Sequence, residues 1–305
     1  MTAKKNILSN VVVIRNILII LLVFYHAFAI YSGAWAPIQG FPEVPVYWWL
    51  DKLSYAFMLE LFVFVSGYVF GYQVRVKGES KLQAKDLFWG KFKRLMIPCI
   101  VFSLLYILLL GDITQPIQKT LYGLFDGVGH MWFLPMLFWC FVGMWIIEKI
   151  HLKPKWSVPL LIIASLGSFL PLPLRMGTAM YFMVFFYVGY VIQRNNISLD
   201  WLYTKRSAII TTISFIILFP AFTLLKEQIG VASTRWGGGS ISYKGLRYFN
   251  SNGTLFGVFF NGYCYGVVTC GLLLKETRNA SLAGENRCFE FWCIFVSTIH
   301  IERFI

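Results

Sequence analysis

The sequence predicts an all-α integral membrane bundle, and three observations carry that expectation. Of its 305 residues, 58% are hydrophobic and only 13% are charged, with a mean hydropathy of +0.65. Soluble domains carry about 25% charged residues. A soluble core of this length has no room for so much apolar surface, so lipid must solvate part of it. Apolar runs long enough to cross roughly 30 Å of hydrocarbon recur along the chain. Basic residues fall mainly in alternate connections between those runs, the pattern by which multi-pass proteins are oriented.

In chain order the runs are 11–32, 51–73, 95–111, 130–149, 157–171, 176–193, 207–225 and 253–274, with a shorter ninth at 288–299. About eight transmembrane helices and a partial ninth are therefore expected. The first run has the look of a secretory signal, with Lys4 and Lys5 before Ala27-Phe28-Ala29. Arg15 interrupts it and it is too long for a signal's apolar region, so it reads as a retained helix. With the N-terminus cytoplasmic, the inner segments hold 17 basic residues and the outer segments 7. The expected location is the cell (cytoplasmic) membrane, multi-pass, with the N-terminus inside.

Composition also excludes functions. A net charge of +13 would suit nucleic acid, but it is concentrated in short loops facing anionic lipid. Membrane lipids are an expected partner; nucleic acid is not. The six cysteines, Cys99, Cys140, Cys264, Cys270, Cys288 and Cys293, lack metal-ligand spacing and lie mostly in apolar runs. They read as packing residues, and no metal is expected.

Ionisable side chains inside a membrane cost about 2.5–3.5 kcal/mol each on insertion scales, so each needs a reason. The first run has two, Arg15 and His26. Eleven residues at about 100° each return to within about 20° of the starting direction, so the pair shares a helix face, roughly 16 Å apart along the axis. Arg15 falls near the cytoplasmic boundary, either snorkelling to headgroups or holding an anion. His26 falls past the midplane, either bonded to a neighbouring helix or acting as a base. Glu60 in the second run comes to a similar depth. A carboxylate beside an imidazole fixes its tautomer and raises its basicity; the alternative is a purely structural carboxyl.

The segment from Arg75 to Arg94 nets +5 and ends Lys91-Phe92-Lys93-Arg94-Leu95-Met96-Ile97-Pro98. Such a cluster binds phosphate, with Arg offering two parallel donors, or it serves orientation alone. His130-Met131-Trp132-Phe133-Leu134-Pro135 opens the fourth helix at the outer face, where His and Trp are common belt residues. The outer connection 226–252 carries Trp236 and Tyr243. These aromatics either stack on sugar rings or sit in an interfacial belt.

Arg15 and His26, then Phe64-Val65-Ser66-Gly67-Tyr68, the segment Lys93 to Pro98 and the segment His130 to Pro135 occur in an order and spacing that resemble the acyltransferase 3 family, over roughly residues 1–275. Members have about ten transmembrane helices. They move acyl groups, usually acetyl from acetyl-CoA, onto hydroxyls of extracytoplasmic glycans. The resemblance implies that Arg15 and His26 are the family's essential Arg and His, and that Arg94 belongs to its cytoplasmic basic motif. The expected site has His26 and Glu60 as catalytic residues, with Arg15, Lys91, Lys93 and Arg94 at the acyl-CoA. His130, Trp132, Trp236 and Tyr243 are expected at the acceptor, a surface glycan or lipid-linked oligosaccharide. Acyl-CoA enters as donor substrate, with no permanently bound cofactor. A glycan transporter or flippase is the alternative; it would share the long outer connection but need no cytosolic phosphate site. Residues 285–305 read poorly as membrane sequence, and a back-translation shifted by one base gives a more family-like ninth helix. The expectation is a membrane domain over 1–284 and an aberrant, frame-shifted tail over 285–305, which adds an inactive truncated relative as a third reading.

Overall fold

The computed structural model describes residues 2–31, 42–110, 117–166, 172–198 and 204–236, and among them every regular element is helical. Among the described residues, five stretches are long and apolar enough to cross a membrane: Val11–Phe28, Pro45–Lys77, Ala84–Leu109, Gly129–Lys149 and Met176–Arg194. The expected runs 253–274 and 288–299 lie outside the described residues. The chain forms two compact units, Met1–Phe62 with Ser198–Ile305, and Val63–Ile197.

In the first unit α1 (Thr2–Phe28) is one unbroken helix. The run expected at 51–73 starts earlier and is broken: α2 (Pro45–Tyr55) ends, and α3 (Met58–Lys77) begins after Ala56 and Phe57. Pro45 starts α2 because its missing N–H falls where a helix has no partner for one. At the other end the Ala56 N–H donates to the Leu53 carbonyl (3.4 Å), tightening the last turn. α2 packs on α1 through aromatic rings, Tyr47 on Phe28 at 5.2 Å and Tyr55 on Tyr25 at 4.4 Å between centroids. α10 (Lys205–Trp236) contains the 207–225 run and joins them through Phe215 against Phe57 (6.3 Å) and Phe219 against Trp49 (5.8 Å). Residues 226–236, expected in a loop, continue this helix; no helix-breaking residue intervenes before Gly237 except Gly230.

The second unit takes in the rest of α3, then α4 (Ala84–Lys91), a π-helical turn (Phe92–Met96), α5 (Ile97–Leu110), α6 (Ile117–Asp126), a 3₁₀ turn (Gly129–Trp132), α7 (Phe133–Lys149), α8 (Pro154–Leu166) and α9 (Met176–Arg194). α8 covers the described part of the expected 157–171 run, residues 167–171 lying outside the described residues, and begins at Pro154 as α2 does at Pro45. α3 and α9 touch backbone to backbone. A Cβ on Gly67 would overlap the Phe186 carbonyl, and one on Gly71 the Tyr190 carbonyl. This Gly-x-x-x-Gly spacing lets membrane helices approach where apolar burial gives no drive against lipid. Around the contact, Phe70, Phe141, Phe186 and Tyr190 form an aromatic core, with Phe141 and Phe186 at 4.8 Å and Phe70 and Phe141 at 5.2 Å, both edge to face.

Candidate functional site

The expected site residues fall in both units. In the first, α1 carries both Arg15 and His26 with no interruption, so the eleven-residue spacing puts them on one helix face; both are half-buried. Tyr25, next to His26, lies 5.0 Å from the imidazole between ring centroids and stacks on Tyr55. Tyr55 is the last residue of α2, so the α2–α3 break falls directly after this stack. Two carboxylates flank the break. Asp51, 2% exposed, lies one turn before Tyr55; Glu60, 9% exposed, lies in the first turn of α3. Both act electrostatically on the Tyr55 phenol, and Asp51 on that of Tyr25. Glu60 thus occupies the start of a helix, where backbone amides present partial positive charge, rather than the middle of a continuous one. A half-buried and an exposed tyrosine, a half-buried imidazole and two buried carboxylates thus cluster around one break.

Asp51 and Tyr55 were not singled out by the sequence reading. An aspartate inside Trp48-Trp49-Leu50-Asp51 was the available signal.

In the second unit the three lysine and arginine positions of the basic motif part company. Lys91, the last residue of α4, holds its ammonium 3.6 Å from the Phe141 ring centroid and 5.6 Å from that of Phe70, a cation–π arrangement that turns it into the aromatic core. Lys93 and Arg94 sit on the π-helical turn and are exposed, Lys93 over the Trp89 ring at 4.9 Å. π turns inside α-helices recur at functional sites. Here the turn leaves two cations facing outward together while their neighbours Leu95 and Met96 are buried.

The other end of this unit holds His130 and Trp132. They lie on the 3₁₀ turn before α7 rather than on a helix, His130 exposed and Trp132 half-buried against Phe182 (6.2 Å). The connection between the expected runs 95–111 and 130–149 contains α6, which is followed by Gly127 and Gly129 in the left-handed region (φ 82° and 58°). A Cβ on Gly127 would collide with the backbone of Met131 and Trp132, so the turn requires glycine there. The Val128 N–H donates to Ser103 Oγ of α5 at 3.2 Å. Asp126 pairs with Arg175 (2.9 Å), whose Nε also donates to the Asp126 carbonyl (3.2 Å), and the Leu174 N–H donates to the Tyr122 hydroxyl. This pair was also missed. Trp236 ends α10 with its side chain outside the description, and Tyr243 lies outside the described residues.

A family model described as an acyltransferase domain matches residues 9–299. The chain belongs to the acyltransferase 3 family. No curated protein and no solved structure matches it. As an acyltransferase it takes a donor and an acceptor, and its long apolar helices make it a multi-pass membrane protein in contact with lipid. The matched segment includes every candidate site residue named above, from Arg15 to Tyr243.

Proposed function

We propose that this acyltransferase moves an acyl group, acetyl in the first instance, from cytosolic acyl-CoA to a hydroxyl of an extracytoplasmic glycan or lipid-linked oligosaccharide. The observation that carries the reading is a family-matched chain whose first helix bears Arg15 and His26 on one face of an unbroken 27-residue helix. In this reading the helices form a bundle of eight spans over 1–284, the partial ninth run 288–299 falls in a separate tail over 285–305, and the N-terminus is cytoplasmic.

His26 acts as the general base. It takes the proton from the acceptor hydroxyl as the oxygen attacks the thioester carbonyl. The carbon–sulfur bond then breaks, the ester forms, and the CoA thiolate leaves with the proton returned to it. Glu60 orients and polarises the imidazole. Arg15 and the exposed pair Lys93 and Arg94 hold CoA phosphates, Lys91 supports that turn, and His130, Trp132, Trp236 and Tyr243 meet the acceptor. A positioned base contributes about 10²–10⁴ in rate, through the transition state more than through ground-state binding. His26→Ala should therefore abolish measurable glycan acylation while acyl-CoA affinity survives. Near-normal acylation by a well-expressed variant would remove His26 from the chemistry.

A further inference from the structure

Helices α3, α7 and α9 end together in the second unit, and their shared end is basic. The Tyr190 hydroxyl on α9 donates to Glu148 on α7 at 2.6 Å, and Arg75 in the last turn of α3 donates to Asn196, just beyond Arg194 at the end of α9. Lys149 ends α7, so the connection to α8 leaves from the same place. Between Trp145 and Ser157 the sequence holds Lys149, His151, Lys153 and Lys155 against one acid, Glu148, which already accepts from Tyr190. All four basic residues are exposed. Lys153 and Lys155 flank Pro154, the first residue of α8, where the helix dipole disfavours positive charge. Helix stability therefore does not account for them.

Large apolar side chains stand exposed among these cations. Ile150 is 60% exposed and Trp156 63%, with the Lys155 ammonium 5.7 Å from the Trp156 ring centroid. Leu160 and Ile163 continue the exposed row along α8 at helical spacing. The 21 residues of Gly129–Lys149 match the roughly 30 Å of hydrocarbon and stop at the first of the lysines, so the connection emerges at the boundary with water. A soluble anion would meet the cations alone. A phospholipid meets both, its headgroup the lysines and its chains the apolar row.

We infer that the α7–α8 connection is a site for an anionic phospholipid, with Lys149, Lys153 and Lys155 at the headgroup and Trp156 where the chains begin. These lysines are distinct from Arg15, Lys91, Lys93 and Arg94, and the site does not depend on the acyl-transfer reading.

The test uses the full chain in phosphatidylcholine vesicles that contain a rising fraction of brominated phosphatidylglycerol or of brominated phosphatidylcholine, with bromine at the same chain positions. The fluorescence lost on Trp156→Phe isolates the Trp156 signal, and Trp156→Tyr replaces that variant should it fail to insert. Each lysine near an anionic surface favours it by roughly fivefold. Half-maximal quenching of Trp156 should therefore need at least about threefold less of the brominated phosphatidylglycerol than of the brominated phosphatidylcholine. Combining Lys149→Gln, Lys153→Gln and Lys155→Gln should bring the two fractions together, and so should high salt, which screens exposed charge. Equal quenching by both lipids in the unaltered protein overturns the site. A preference that survives the triple substitution overturns the role of the lysines. Relief of the quenching by added coenzyme A overturns the lipid in favour of a soluble anion.

Discussion

The Tyr25 ring lies on the Tyr55 ring at 4.4 Å between centroids, tilted by 27°, and this stack joins the helix that carries His26 to the break that precedes Glu60. Stacked aromatic pairs contribute about 0.5–1.5 kcal/mol beyond their buried area. Tyr55→Phe should keep the stack and most of the turnover. Tyr55→Ala should lower both thermal stability in detergent and kcat, and equal kcat for the two variants would show that the stack positions nothing.

If the proposed roles hold, Glu60→Gln should lower kcat by at least tenfold less than His26→Ala, since in that reaction it acts through the imidazole and not on the substrate. The conservative variant Glu60→Asp should recover part of the loss. Abolished expression with Glu60→Gln would make the carboxylate an insertion or packing group, and the pairing with His26 would have to be given up.

Exposure divides the basic motif into two kinds of residue: Lys91 is half-buried against Phe141, while Lys93 and Arg94 are exposed. Lys93→Gln and Arg94→Gln should raise the KM for acyl-CoA and reduce its salt dependence, since exposed charge contacts are screened. Lys91→Met should leave that salt dependence alone and lower stability by about 0.5–2 kcal/mol, the range for a cation on aromatic faces. A loss of salt dependence on changing Lys91 would put its ammonium on the donor after all.

The backbone contact of α3 with α9 leaves no space for a side chain at Gly67, Gly71 or Gly189, whereas Gly90 on α4 faces open space. Gly67→Val should destabilise the protein by about 3 kcal/mol or more, at the upper end of overpacking effects. Gly90→Ala meets nothing within 4 Å and should be neutral or slightly stabilising. Comparable melting temperatures for the two variants would contradict the close approach.

Much of the helical architecture was legible because a membrane leaves few alternatives: long apolar runs must be helices, and Arg15 and His26 had to share a face once they shared one. The break after Tyr55 was not, since Tyr55-Ala56-Phe57 contains neither glycine nor proline. Its consequence is that Glu60 opens a helix and Asp51 precedes the gap. α6 escaped notice for a different reason. It has ten residues, too few for a span, although Ile117, Leu121 and Phe125 recur at helical spacing and Asp126-Gly127-Val128-Gly129 marks its end. The separation of Lys91 from Lys93 and Arg94 depends on a π turn, and no residue type signals one.

A π turn holds one residue more than the α-helical ladder around it needs, which makes Phe92–Met96 a place where chain length can change by one without breaking the helix. Deleting a single residue there would restore an ordinary ladder and swing α4 relative to α5 by about 100°. Lys91 would leave its aromatic seat while α5 stayed where it is. Length variation at this point is therefore a rotary adjustment, able to re-aim Lys91 and the rest of α4 while the packed helices beyond it are left untouched.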